Sequence, residues 1–467
     1  MLGTVMYHKK LYLMILGLII LVACSQEPAL SNETVIDKEI LGDSDSEGEE
    51  KKYKEFLNDY GHPIEIDKIE KEKFDFLKDI LKHKKYLFLG ENGHSIAEFN
   101  QVKSGLIPYL HEELDFDVLV FETGFPEANI TYSAAKDLSH YDLMKYSIWA
   151  TWHSDDTLQL FKYISDQSKT DDPLILTGLD ITSFTSEYDG TSLTEYELGS
   201  FLNRWLLPLN SDMAALVKDI EGKYAQVSHL TSKKERVELI KRYQQVLQFV
   251  EEQKKNLQET YPNSENLIPT LIESIEHRIW VLQEVFDKGY TDLTVYKNDY
   301  QKNITLRDRA ASEQLIRLIE EKYPDKKILF WYHNYHIMKD ANKMMMVDSD
   351  LKTMYEPMPD YLGTILPETI KKQSYVLGLF MDTGSIVSDG QNYSIPPKEK
   401  ETDLEWIMKQ SDASAYWLDI SNESTRPEWL NQTLSTYEEG FFEYKFNPSE
   451  QYDGLLFIKK VTPTVYR

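Results

Sequence analysis

The chain has 467 residues, 51 basic and 78 acidic side chains, a formal charge of −27 and one cysteine. An acidic surface of this kind repels phosphate backbones and excludes general nucleic-acid binding. An aromatic content of 12% excludes a chain disordered throughout, and a single cysteine excludes an intramolecular disulfide or a Cys-rich zinc module.

Lys9 and Lys10 precede an unbroken apolar run from Leu11 to Val22, too short to span a bilayer comfortably but suited to a signal-peptide core. It ends in Leu21-Val22-Ala23-Cys24, which resembles the bacterial lipobox, where the thiol receives a diacylglycerol and the chain is cut just before it. Residues 1–23 therefore read as a lipoprotein signal peptide and Cys24 as the lipidation site, carrying palmitate-type chains. The expectation is a protein anchored by lipid to the cell membrane on its extracytoplasmic side; an uncleaved anchor with a bystander thiol is the alternative. Residues 24–52 are polar and acidic and predict a disordered tether. The folded domain is expected from Tyr53 to the C-terminus.

Four apolar runs of strand length follow, each ending in groups able to do chemistry. Tyr86–Leu89 leads into Gly90-Glu91-Asn92-Gly93-His94, Val118–Phe121 into Glu122, Leu174–Thr177 into Asp180, and Ile328–Tyr332 into His333-Asn334-Tyr335-His336. Apolar runs without polar alternation predict strands buried on both faces, as in a parallel sheet. Ile96, Phe99, Val102, Leu106, Ile107, Leu110 and Leu114 recur at helical spacing between the first two runs. The fold class is thus α/β, with a central, mostly parallel sheet and flanking helices. Residues 194–319, rich in Lys, Glu, Gln and Leu at helical spacing, predict a helical insertion or cap. Ligands of open parallel sheets bind beyond the carboxyl ends of the strands, so the four runs predict one polar site.

Three chemistries suit that site. In one, an imidazole activates water for attack on a carbonyl while glutamates tune it and other histidines assist; Glu91 and His94, three apart, would share a face if a helix has begun. In another, His94, His333, His336 and one glutamate hold a divalent metal such as zinc or manganese, although His-Glu-x-x-His is absent. In the third, Gly93-His94-Ser95-Ile96-Ala97 approximates a nucleophile elbow, with Ser95, Asp180 and His333 in α/β-hydrolase order.

Residues 87–128, LFLGENGHSIAEFNQVKSGLIPYLHEELDFDVLVFETGFPEA, resemble the Gly-Glu-x-x-His-x-x-x-Glu-Phe segment of the erythromycin esterases, and residues 328–336, ILFWYHNYH, are similar to that family's His-Asn-x-His signature. Weaker similarity covers Trp152, Asp180, Arg307-Asp308 and Tyr375-Val376-Leu377-Gly378. The resemblance implies His94 as the base activating water, Glu91 and Glu122 as its acidic partners, and His333 and His336 for transition-state or leaving-group assistance. It also implies a metal-independent ester or lactone hydrolase, with macrolide macrolactones among the family's substrates and antibiotic resistance among its consequences. Lys103, Trp152, Asp180 and Arg307 are the expected substrate-binding residues. Lys103 stands where the family leads one to expect arginine and lacks its planar fork, and Ser95 stands where glycine commonly follows the motif histidine.

Overall fold

The computed structural model describes residues 46–181, 198–224, 226–227, 231–262, 264, 266–288, 300–388 and 391–467. The residues read as a signal peptide, Cys24 and most of those read as a tether lie outside the described residues. The first described element, helix α1 (Ser46–Tyr60), begins inside the stretch read as tether, so the folded part starts earlier than Tyr53. Lys51–Glu55 at i,i+4 and Lys52–Glu49 at i,i+3 pair along it, and Tyr53 packs edge-on against Trp406 and Trp429. The acidic composition suggested solvation, but these contacts give the segment a helical face to bury.

The strands are β1 (Gly61–Pro63), β2 (Tyr86–Leu89), β3 (Phe116–Gly124), β4 (Ile175–Asp180), β5 (Lys327–Trp331), β6 (Met345–Met346), β7 (Ser374–Ser388), β8 (Gln391–Ile395), β9 (Ala415–Asp419), β10 (Leu434–Glu438), β11 (Phe442–Phe446) and β12 (Gly454–Val461). Among the described residues, nine form one sheet in the order β1-β9-β12-β7-β2-β5-β3-β4, with β8 against β7, and β10-β11-β6 form a second. From β12 to β4 every neighbouring pair is parallel; β1, β8 and β9 add antiparallel pairs at one side. The four apolar runs of the sequence are the four adjacent strands β2, β5, β3 and β4. Their carboxyl ends therefore meet.

Alternate residues of these strands fill two cores. Phe88, Val120 and Phe330 belong to one, and Leu87, Leu89, Phe121, Leu329 and Trp331 to the other. Burial on both faces is the physical reason the runs lack polar alternation. Helix α2 (Ala97–Leu114) returns the chain from β2 to β3 and ends where Asp115 turns left-handed at φ 59°.

The predicted insertion is helical: α3 (Leu198–Leu206), α4 (Ser211–Tyr224), α5 (Lys233–Glu252), α6 (Leu267–Trp280) and α7 (Tyr300–Arg317) are its main elements. Helix α5 opens with a Ser232/Glu235 capping box. These helices bury a third apolar cluster, including Phe201, Val217, Tyr243, Leu271 and Ile275. The insertion thus has a core of its own, to which Ile130 and Ile181 contribute from outside the insertion.

Gly90 is the hinge between the sheet and the polar edge. Its N–H donates to Leu377 O (2.9 Å), and a Cβ there would overlap Asn334 Oδ1 and lie 2.9 Å from Leu377 O. Gly90→Ala should therefore destabilise the protein by about 1–3 kcal/mol through overpacking, read as a lowered denaturation midpoint in urea.

Candidate active site

Glu91 leaves β2 on a loop. The segment from Gly90 to Ser95 has not yet become helix; it turns through Gly93 at φ 128° and Ser95 at φ 65°. The shared helical face expected for Glu91 and His94 is therefore corrected: the loop brings them together instead, with His94 Nδ1 2.6 Å from Glu91 Oε1. Trp152 Nε1 donates to the same oxygen at 2.9 Å. Trp331 Nε1 donates to Oε2 at 3.2 Å, and the Lys103 ammonium closes on Oε2 as well. Glu91 is 1% exposed and accepts from four donors contributed by β5, α2, its own loop and the short helix Ala150–Trp152.

This environment fixes the charges. Burial resists ionisation of Glu91, but Lys103 and His94 outweigh it and hold the carboxyl down at about 2. Burial works against the charge on His94 too, yet Glu91, Glu122 and Glu439 raise it to about 9. The ring lies deep among protein atoms while keeping 37% of its side-chain surface exposed. Burial lowers Lys103 to about 8 despite Glu91.

Glu122, at the end of β3, organises the second half. One oxygen accepts from Arg307 Nη2 (3.0 Å) and faces His336 Nε2 (3.4 Å); the other accepts from the His333 backbone N–H (3.0 Å). Although burial opposes ionisation, His336 and Arg307 hold Glu122 down at about 2. Arg307 also binds Asp180 through Nε at 2.5 Å. His336 Nδ1 lies 2.7 Å from Asp308, whose carboxylate caps the Leu362 N–H. Burial lowers His336 but the carboxylates of Asp308 and Glu122 raise it more.

His333 caps the short helix Asn334–Ile337, its Nδ1 accepting from the Tyr335 N–H at 3.2 Å. That assigns its proton to Nε2, which lies 2.6 Å from Glu438 Oε1. The rings of His94 and His333 are 5.1 Å apart, and those of His333 and His336 6.4 Å. Glu91, His94, Glu122, His333 and His336 therefore form one constellation. His333 and His336 have both ring nitrogens engaged, whereas His94 has its Nε2 free of any protein partner among the described residues.

Three sequence readings change. Lys103, Trp152, Asp180 and Arg307 are gathered here, but Lys103 and Trp152 are 1% and 0% exposed, and Asp180 and Arg307 2% and 7%. Lys103 sits behind Glu91, its Nζ 4.1 Å from the Trp331 ring centroid; these side chains brace carboxylates rather than meet a solute. The elbow order does not assemble, since the Ser95 hydroxyl bonds Tyr466, Asp180 binds Arg307 and His333 binds Glu438. Among the described residues, the grouping of three ligand atoms within 4.8 Å of one another falls at His111, Asp117 and Asp172, not at His94, His333 and His336. Glu438 and Glu439, at the turn between β10 and β11, are functional neighbours the sequence did not mark. No spacing relates them to either motif, and they are two of many acids.

A parallel sheet whose carboxyl edge gathers carboxylate-braced imidazoles is the architecture of an α/β enzyme. The sequence profile of the family described as erythromycin esterase matches residues 111–461, and the chain belongs to that family; it is a hydrolase of ester bonds. The hydrolase-named YbfO of Bacillus subtilis (strain 168) is 29% identical over 434 residues, 89% of this chain and 93% of that protein. Erythromycin esterase type I of Escherichia coli is 22% identical over 291 residues, 59% of this chain and 67% of that protein. The structure of an erythromycin esterase EreC mutant in its open conformation superposes with a TM-score of 0.53 at 14% identity, covering 87% of this chain and 98% of that one. The expected α/β fold is the fold observed.

Removing the cation behind Glu91 tests the bracing. Lys103→Met leaves a buried carboxylate short of its partner and should destabilise the fold by about 3–5 kcal/mol, measured by chemical denaturation at neutral pH.

Proposed function

We propose that the chain is a lipid-anchored, extracytoplasmic hydrolase in which His94 activates water to cleave a carboxylic ester or lactone, macrolactones included. The observation that carries this reading is the free Nε2 of His94 on a ring whose Nδ1 is held 2.6 Å from the Glu91 carboxylate. A carboxylate at one nitrogen fixes the ring's tautomer and supports the proton that the other nitrogen accepts. Water attacks the carbonyl directly, without an acyl-enzyme, and without a metal. The names of the E. coli relative and of EreC support erythromycin-type lactones as the first substrates to try. Among the described residues no helix is long and apolar enough to cross a membrane, and in this reading attachment falls to Cys24.

On an ester panel that includes macrolactones, His94→Ala should lower kcat by at least about 100-fold, whereas Ser95→Ala and prior treatment with chelator should leave turnover in place. A fluorophosphonate adduct on Ser95 would sink the direct-water reading in favour of an acyl-enzyme.

The pH profile follows from the shifted imidazole. His94 must be neutral to accept a proton, and its folded value is raised to about 9. On a p-nitrophenyl ester, whose leaving group needs no proton, the logarithm of kcat/KM should therefore rise with pH through neutrality and level off near 9. Glu91→Gln removes the largest force that raises His94, leaving burial to lower it, so the rising limb should move to lower pH while the plateau falls.

For location, cells grown with labelled palmitate should yield a labelled protein in the membrane fraction. Cys24→Ala should abolish the label; labelled Cys24→Ala protein would refute the anchor.

A further inference from the structure

Ester hydrolysis needs a proton for the leaving alkoxide as well as a base for water. The groups nearest His94 are poor sources. Glu91 and Glu122 are held ionised at about 2 by their buried cations, Glu438 accepts from His333 Nε2 at 2.6 Å, and both nitrogens of His336 face carboxylates.

Glu439 differs from all of them. It stands at the turn between β10 and β11 with φ 52°, a left-handed conformation that non-glycine residues rarely adopt, followed by Gly440 at φ 80°. The turn is pinned against the loop that carries His94. The Glu439 N–H donates to Asn92 O at 3.2 Å, Asn92 Nδ2 donates to Tyr437 O at 3.0 Å, and Lys398 Nζ donates to Gly440 O at 2.6 Å. Gly93 makes this approach possible, because a Cβ there would lie 3.2 Å from both Cα and Cγ of Glu439. Two unusual backbone conformations, at Gly93 and Glu439, thus meet beside the base. Strain of this kind is retained where surrounding structure enforces it, commonly at active sites. Among the described residues the Glu439 carboxyl makes no hydrogen bond to protein, although it lies within electrostatic reach of His94, His333 and Glu438.

We propose that Glu439 is the general acid of the hydrolysis, giving its carboxyl proton to the leaving alkoxide oxygen. The inference rests on His94 as the base. Water bonds to the acyl carbon as His94 Nε2 takes one of its protons, and the carbonyl electron pair moves to oxygen. When the carbonyl re-forms, the acyl carbon to alkoxide bond breaks, its electron pair goes to the leaving oxygen, and that oxygen takes the Glu439 proton. The products are a carboxylic acid and an alcohol. His94 then returns its proton to the Glu439 carboxylate through water, restoring both groups. Burial, and next the neighbouring Glu438 charge, raise Glu439 above the ordinary carboxylate range, against the opposing pull of His94 and His333. The same edge thereby holds two carboxylates firmly ionised and another inclined to keep its proton, a division that separates acid from base in other hydrolases.

The test compares p-nitrophenyl and methyl esters of one acyl group. Methoxide needs the proton and p-nitrophenolate does not. Glu439→Gln should lower kcat on the methyl ester by about 100-fold or more and on the aryl ester by less than about threefold, while Glu439→Asp recovers part of the methyl-ester rate. A thermal midpoint close to the wild type's separates this from loss of fold. Equal losses on both esters, or undiminished methyl-ester turnover, would overturn the assignment, as would a steep dependence of wild-type kcat on leaving-group pKa. His94→Ala should abolish turnover of both esters; if it does not, the base reading fails independently of Glu439.

Discussion

The buried Glu91 carboxylate is the interaction on which the rest of this edge depends. A carboxylate that is 1% exposed is tolerable only when its lone pairs are met, and here four donors from separate parts of the chain converge on it. Lys103 reaches from the first helix after β2, Trp152 from the short turn before the next helix, Trp331 from the end of β5, and His94 from the loop itself. Satisfying one buried charge therefore ties four elements into a fixed geometry. The reactive ring is a by-product of that demand: His94 contributes only Nδ1 to the carboxylate, so its other nitrogen is left over.

Glu122 repeats the device on β3, one strand removed from β2, with a different result. Its two oxygens take a guanidinium, an imidazole edge and a backbone N–H, and Asp308 engages the remaining nitrogen of His336. The histidines on this side are consumed by their partners. Two carboxylates at the ends of strands that flank β5 thus make one ring available and hold two in place, although the residue types are the same. What separates the outcomes is which ring nitrogen each partner occupies, a matter of tenths of an ångström and of backbone direction.

That distinction marks the limit of what was legible in the sequence. The parallel centre of the sheet could be read, because strands buried on both faces must be apolar without alternation, and residues 86–89, 118–121 and 328–332 are. The helical insertion could be read from periodicity, and the convergence of the site from the rule that parallel strands point their carboxyl ends the same way. Burial depth was not legible. Lys103, Trp152, Asp180 and Arg307 were placed in the right neighbourhood, but polar side chains near a site read as ligands for a solute unless one knows that another protein group already claims them. Nor could Glu438 and Glu439 be singled out, since their relation to His333 and His94 exists only through the docking of the β10–β11 turn on Asn92 and Gly93. The start of α1 at Ser46 was hidden for a related reason: an acidic stretch looks solvated until its aromatic contacts are known.

The charge of the whole chain takes a different meaning at this edge. The cations of the site are buried, with Lys103 1% and Arg307 7% exposed, each matched to a carboxylate beneath the surface. His94 keeps an open face, whereas the ionised carboxylates that act on it, Glu91 and Glu122, are themselves buried. An imidazole in that field binds its proton tightly, which makes it a strong base that is mostly occupied at neutral pH. Deeper burial would free the ring of its proton but weaken it as an acceptor; a closer carboxylate would do the reverse. The observed compromise leaves His94 partly open to water while its partner is sealed, so basicity comes from the buried side and the nucleophile from the exposed one.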